Sequence, residues 1–255
     1  MSYRVREDHK LEAALPFHEP APYDVSNSRL SACVDGTSLN KLSLSGAYEA
    51  VLPGGFYGTC GMTAPDAPDA EKTVTAYGRV QQTQFDMHGI SYSAKWFCGS
   101  DKPVLYLRVY AQSKKAFTLQ YHFGVQCAPE KLNVLCTARL VLREREGDYL
   151  HYSASAKAAA AQDVYFAELT LAFDLGHTLT QGSLLSAAED ASADAEAYFA
   201  MLLSASAPEE DAAFKAYALN AAFSSYKSFA GFSGFFAGVN YAAPARTYYR
   251  DGYYT

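Results

Sequence analysis

Residues 117–125 read Phe-Thr-Leu-Gln-Tyr-His-Phe-Gly-Val. Phe117, Leu119, Tyr121, Phe123 and Val125 alternate with Thr118, Gln120, His122 and Gly124. Side chains of a strand point to its two faces in turn, so this stretch predicts a strand with one buried and one wet face. Upstream, Val104 to Tyr110 is more continuously apolar, as a strand covered on both faces would be. Downstream, Leu132 to Leu142 and Asp163 to Asp174 predict two further long strands. The second presents Tyr165, Ala167, Leu169, Leu171 and Phe173 on its apolar face. Gly99-Ser100-Asp101, Ala128-Pro129-Glu130 and Gly147-Asp148 supply turns between them. Strands that follow one another without intervening helices imply an antiparallel β-sandwich, with β patterning from about Arg29 to Asp174.

The character changes at Ser186. Ser186 and Glu189 have capping-box spacing and predict a helix to about Leu203. Ser206 and Glu209 repeat the spacing, with Pro208 and Asp211 in the same first turn. The second helix is expected to run to about Phe229. Phe214, Tyr217, Ala218, Ala221, Ala222 and Ser225 recur along it at helical spacing as a stripe of mostly small side chains. One helix with such a stripe is not a domain. It lies on the sandwich, or it begins a helical domain. The expected organisation is a β-sandwich domain over 1–185, a linker helix over 186–207 and a new helical domain from 208. Leu52 to Ala70, rich in Gly and Pro, is a long loop that links sheets or reaches a neighbouring domain.

Composition narrows the function classes. The chain has 255 residues and a net charge of −6, without a basic run, so no nucleic-acid partner is expected. The N-terminus has no apolar signal-like segment. Ser228 to Ala245 lacks charge, but Gly231, Gly234, Gly238, Asn240 and Pro244 interrupt it, so no membrane partner is expected. Cys33, Cys60, Cys98, Cys127 and Cys136 are odd in number and show no C-x-x-C pair. Reduced, buried thiols and a cytoplasmic location are the expectation. None of the six histidines has metal-site spacing, and no cofactor is predicted. The glycines of the long loop do not form a phosphate-binding motif. Ser233, in Gly-Phe-Ser-Gly, lacks the spacing of a nucleophile elbow.

Tyrosine is unusually abundant, with 20 Tyr and 15 Phe against one Trp, Trp96. Tyrosine suits surfaces that are apolar on one side and hydrogen-bonding on the other, as sugars are, and β-sheets favour Tyr and Phe in any case. Aromatics concentrate in the final stretch, where seven surround Arg246, Arg250 and Asp251 between Gly234 and Thr255. Tyr248 and Tyr249 stand directly before Arg250-Asp251. An adjacent Arg and Asp can donate to and accept from neighbouring hydroxyls of one sugar, in charge-assisted bonds worth roughly 1.5–3 kcal/mol each. The same pair could instead form a local salt bridge that caps a following helix.

Tyr249-Arg250-Asp251-Gly252 resembles the loop after the first barrel helix in glucoamylases and in the amylo-α-1,6-glucosidase part of glycogen debranching enzymes. The order of sandwich, linker helix and barrel-type helix also resembles bacterial members of that six-hairpin, (α/α)6-barrel group. The likeness is loose over the full architecture and close over about 20 residues. Tyr249 departs from the usual Thr, and Gly252-Tyr253-Tyr254 replaces a more aliphatic run. The resemblance implies a supersandwich-like domain, a linker helix and the first helix of an incomplete barrel. It implies a glycoside hydrolase acting on glucosides or oligosaccharides. Substrate-binding residues would be Arg250, Asp251, Tyr249, Tyr248 and Arg246, and the partners a carbohydrate substrate and the remainder of the barrel. These families take their catalytic carboxylates from later barrel helices. No acidic pair in this chain suits that work, and no catalytic residue is assigned. Glu209-Glu210-Asp211 fits the charge a helix N-terminus favours. The alternatives are a glycoside phosphorylase or rhamnosidase-like enzyme on the same scaffold, and a non-catalytic carbohydrate-binding or assembly module.

Overall fold

The computed structural model describes residues 3–44, 57–59, 70–126, 132–147, 149–205, 212–229 and 232–235. Its strands are β1 (Arg4–Val5), β2 (Leu11–Pro16), β3 (Pro22–Asp24), β4 (Leu30–Asp35), β5 (Ser38–Leu44), β6 (Tyr57–Thr59), β7 (Glu71–Tyr77), β8 (Val80–Met87) and β9 (Ile90–Phe97). They continue with β10 (Val104–Ser113), β11 (Thr118–Gln126), β12 (Asn133–Cys136), β13 (Arg139–Glu146), β14 (Tyr149–Lys157), β15 (Ala159–Ala161) and β16 (Val164–Asp174). Helices α1 (Leu184–Ala205) and α2 (Ala212–Ser225) follow, then β17 (Tyr226–Phe229) and β18 (Phe232–Phe235). The fold is thus mainly antiparallel β with two C-terminal helices, as the sequence pattern predicts.

A nine-stranded sheet runs in the order β1-β2-β7-β8-β9-β10-β16-β12, with β15 also paired to β16. A four-stranded sheet, β13-β14-β11-β6, and a three-stranded sheet, β3-β4-β5, lie over its inner face. Alternation in β9 and β10 shows how the large sheet serves two layers. Trp96, Leu105, Leu107 and Val109 face inward and meet Leu30, Leu39, Tyr121 and Phe123 of the smaller sheets. Phe97, Val104 and Tyr106 face outward and are covered by α1. This is why Val104 to Tyr110 reads as apolar on both faces. In β11, Leu119, Tyr121 and Phe123 are buried while Gln120 and His122 are exposed, as the alternation requires.

The turn between β4 and β5 is pushed into the core, where its backbone cannot reach water. Side chains supply the partners that buried amides and carbonyls need. Trp96 Nε1 donates to the Gly36 carbonyl at 2.9 Å, Gln81 Oε1 accepts the Gly36 N–H at 3.0 Å, and the Tyr121 hydroxyl donates to the Thr37 carbonyl at 2.6 Å.

Several expectations are corrected. Strands begin at Arg4, not Arg29, because β1 and β2 extend the large sheet at its edge. Residues 132–142 form no single strand. β12 pairs with β16, β13 pairs with β14, and the chain changes sheets at Thr137-Ala138. Thr137 holds that crossing: its N–H donates to the Thr170 carbonyl at 3.0 Å, and its Oγ1 accepts the Thr170 N–H at 2.8 Å. Part of the long loop, Tyr57–Thr59, pairs with β11, and the rest of it lies outside the described residues apart from Ala70.

The start of α1 also differs. Asp174 turns the chain out of the sheet by accepting the N–H groups of Gly176 and Leu179 at 3.0 and 2.8 Å. A short 3-10 turn at Gln181–Ser183 then leads into α1 at Leu184. Thr180 and Ser183 make the reciprocal contact, the Thr180 N–H donating to Ser183 Oγ at 3.0 Å. Ser186 instead donates to the Ser183 carbonyl, and Glu189 pairs with Arg108. The Ser206–Glu209 box lies outside the described residues. α2 ends at Ser225, short of Phe229, because Tyr226–Phe229 pairs as a strand with Phe232–Phe235.

Candidate functional site

The residues assigned to sugar binding, Arg246, Tyr248, Tyr249, Arg250 and Asp251, lie outside the described residues, as does Cys127. What the structure describes is the scaffold that precedes them and the surfaces it leaves available.

α1 lies on the outer face of the large sheet through Leu184, Ala188, Ala191, Ala195, Tyr198, Phe199 and Leu202. A polar seam flanks this apolar contact. Glu196 accepts the Tyr77 hydroxyl at 2.6 Å and Lys95 Nζ at 2.9 Å, and Lys95 also donates to Ser192 at 3.2 Å. Lys10 Nζ sits over the Tyr77 ring, 4.0 Å from its centre. Burial raises the Glu196 carboxyl, but bonds from Tyr77 and Lys95 outweigh it and hold the group below its ordinary range. Burial, reinforced by Glu196, pushes the Tyr77 hydroxyl far above its usual value. Glu196 is therefore a bound carboxylate at neutral pH and has no proton to donate to a leaving group.

Further along α1, Arg108 pairs with Glu189 at 2.7 Å and approaches Glu168 at 3.4 Å. Arg79 lies over the Tyr198 ring at 3.7 Å, and Asp194 accepts the Ser100 N–H. These pairs tie the helix to the sheet. Glu189, Ser192 and Glu196 share one side of the helix, and that spacing was the available sequence signal for this seam.

α2 docks at the sheet edge through Tyr217 of the predicted stripe together with Ala216 and Asn220, which lie outside it. Ala216 and Asn220 are buried, and Tyr217 is half-buried. The Tyr217 hydroxyl accepts the Leu11 N–H at 3.0 Å and donates to the Ala76 carbonyl at 2.9 Å. Asn220 Nδ2 donates to the Tyr23 hydroxyl at 3.5 Å, and that hydroxyl donates to the Gly78 carbonyl at 2.9 Å. Of the predicted stripe, Phe214 is 77% exposed, and Ala218 and Ala221 are also exposed. Phe223, outside the stripe, is 46% exposed. The correction has a physical reason: the Tyr217 hydroxyl satisfies backbone groups of two strands, which the side chains of Phe214, Ala218 and Ala221 cannot do.

A groove of about 560 Å³ opens where the β8–β9 turn, the β10–β11 connection and the start of β16 meet. Ile90, Phe117 and Val164 are its apolar lining, and His88, Lys114 and Lys115 are among its polar lining.

Among the described residues no group of three or more His, Cys, Asp or Glu side chains is placed to hold a metal ion, and no helix is long and apolar enough to cross a membrane. Cys33, Cys98 and Cys136 are buried, and burial pushes the Cys136 thiol up to about 11. Compared with known proteins, the chain matches no family model and no curated protein.

Proposed function

We propose that this chain is the N-terminal portion of a glycoside hydrolase of the six-hairpin type, in which α1 is the linker helix and α2 the first helix of an (α/α)6 barrel. The observation that carries this reading is the uncovered apolar side of α2. Its polar-capable face is used against the sandwich, while Phe214, Ala218 and Ala221 point away from it. A helix whose small and apolar residues face outward is suited to close packing against further helices. The Arg250-Asp251 loop then follows the hairpin β17–β18 and would hold the terminal sugar of a glucoside. Hydrolysis needs two carboxyl groups flanking the bond, and the reading places both beyond Thr255.

The test compares two proteins. The 255-residue chain should release no glucose from maltose or isomaltose. A longer product of the same gene should release it, and Asp251→Asn in that product should lower kcat/KM by about ten- to a hundredfold. Glucose release by the 255-residue chain itself would overturn the assignment of catalysis to later helices. Full activity in the Asp251→Asn enzyme, with a lowered melting temperature, would make Asp251 a helix cap.

A further inference from the structure

The groove at the end of the sandwich has a chemistry that neither the hydrolase reading nor the core explains. Its rim is built from two hairpin ends. His88 and Gly89 form a two-residue turn with φ of 52° and 75°, closed by the Met87–Ile90 pair. Ser113 ties that turn to the next one, donating to the Gly89 carbonyl at 2.9 Å and accepting the Lys115 N–H at 3.3 Å. The lysines are thus carried on a braced turn.

Charge is distributed unevenly here. Arg4, Arg6, Lys10, Lys95 and Arg108 each face a carboxylate. Lys114 and Lys115 are exposed and, among the described residues, neither forms an ion pair. Among the described residues no Asp or Glu lines the groove, although the whole chain carries a net charge of −6. His88 adds an imidazole that can donate a hydrogen bond. The apolar lining is Ile90, Phe117 and Val164. Ile90 and Phe117 pack against the core and are held by it, and Val164 is exposed.

We propose that this groove binds an anionic sugar, a pyranose-sized ring that carries a phosphate or a carboxylate. The ammonium groups would take the anion, Gln112 and Ser91 the ring hydroxyls, and the apolar lining the C–H face of the ring. The volume lies within the usual range for small-molecule sites, roughly 300–1,000 Å³. The proposal uses no residue of the 246–251 loop and stands or falls apart from the hydrolase reading.

Titration of the full chain with glucose 6-phosphate, glucuronate, glucose and inorganic phosphate tests it, with binding followed by NMR shifts of the groove amides. At least one anionic sugar should bind, with glucose and inorganic phosphate each at least about fivefold weaker, because each lacks half of the recognition. A preference for glucose 6-phosphate names a phosphorylated sugar, and one for glucuronate names a sugar acid. Lys114→Gln with Lys115→Gln should weaken the anionic sugar about five- to twentyfold, since exposed ion pairs contribute up to about fivefold each. The same double variant should leave glucose binding unchanged, and far-UV circular dichroism should confirm its fold. Silent groove amides with both anionic sugars, inorganic phosphate binding as tightly as the preferred sugar, or undiminished binding by the double variant would each overturn the proposal.

Discussion

The hydroxyl of Tyr217 accepts the backbone N–H of Leu11 at 3.0 Å, across 206 positions of sequence. The same hydroxyl donates to the carbonyl of Ala76 at 2.9 Å, and Leu11 and Ala76 are register partners in the β2–β7 ladder. One side chain of α2 therefore serves a donor and an acceptor of two paired strands. Burial pushes that hydroxyl well above its usual pKa, so it remains a neutral donor throughout the physiological range.

Tyr217→Phe should leave both backbone groups without this partner. The expected loss is about 1–3 kcal/mol, or a fall of several degrees in melting temperature for a chain of this size. The Leu11 amide should exchange with deuterium faster in the variant. An unchanged exchange rate at Leu11 would mean that water replaces the hydroxyl at no cost.

Glu196 gives a pH dependence with a definite sign. Its folded carboxyl lies below its ordinary value of 4.5, so the stabilisation it brings is present above that pH and is lost as pH falls through the folded value. Glu196→Gln should be less stable than the natural chain at pH 7. The side chain is partly exposed, so the difference should be at most about 1 kcal/mol. It should shrink as pH falls below 4.5 and through the folded value in denaturant titrations. A difference that does not fall with pH would assign the loss to packing.

The sequence made the layer arrangement readable wherever period-2 alternation was strong, as in β11 and in Ala167, Leu169, Leu171 and Phe173 of β16. It failed at Thr137, because a strand that changes sheets keeps its β pattern while its partners change. On α2 the predicted stripe held Tyr217, which packs on the sheet, but also Phe214, Ala218 and Ala221, which are exposed. The buried side carries the hydrogen bonds of the Tyr217 hydroxyl to the β2–β7 ladder and of Asn220 to the Tyr23 hydroxyl, partners that no local window contains. In the Lys95–Glu196 seam the spacing of Glu189, Ser192 and Glu196 was legible on the helix, but their partners on the sheet were not. The groove was unreadable because its rim joins two separate turns, at Gly89 and Ser113.

Gly78 offers a test of how closely α1 sits on the sheet. Its φ is +47°, and a Cβ there would come within 3.3 Å of Phe199 Cβ and 3.4 Å of a Tyr198 ring carbon. Gly147 has a similar φ of +60° but open space around the same position. Gly147→Ala should cost about 1–2 kcal/mol from the left-handed backbone alone. Gly78→Ala should cost more, because the helix must also shift. Equal losses in chemical denaturation would show that the helix yields freely.

Phe214 carries the last prediction. At 77% exposed it contributes little to the fold of this chain, and substitutions at such positions usually change stability by under about 0.5 kcal/mol. Phe223 is also exposed, at 46%. Aromatic side chains left in water favour association when they form a patch with apolar neighbours. Here the neighbours on the same helix are Ala218 and Ala221, which also face outward. The 255-residue chain should therefore self-associate in sedimentation velocity as concentration rises, and Phe214→Ser with Phe223→Ser should reduce that association without lowering the melting temperature. In the longer gene product the reading of α2 as a barrel helix makes the opposite demand. There the same phenylalanines would be covered by other helices, and the double substitution should cost roughly 3–5 kcal/mol or more, the scale of removing a buried aromatic from a core. A double variant that is equally stable in both proteins would remove α2 from any barrel and leave it as a helix that belongs to the sandwich alone.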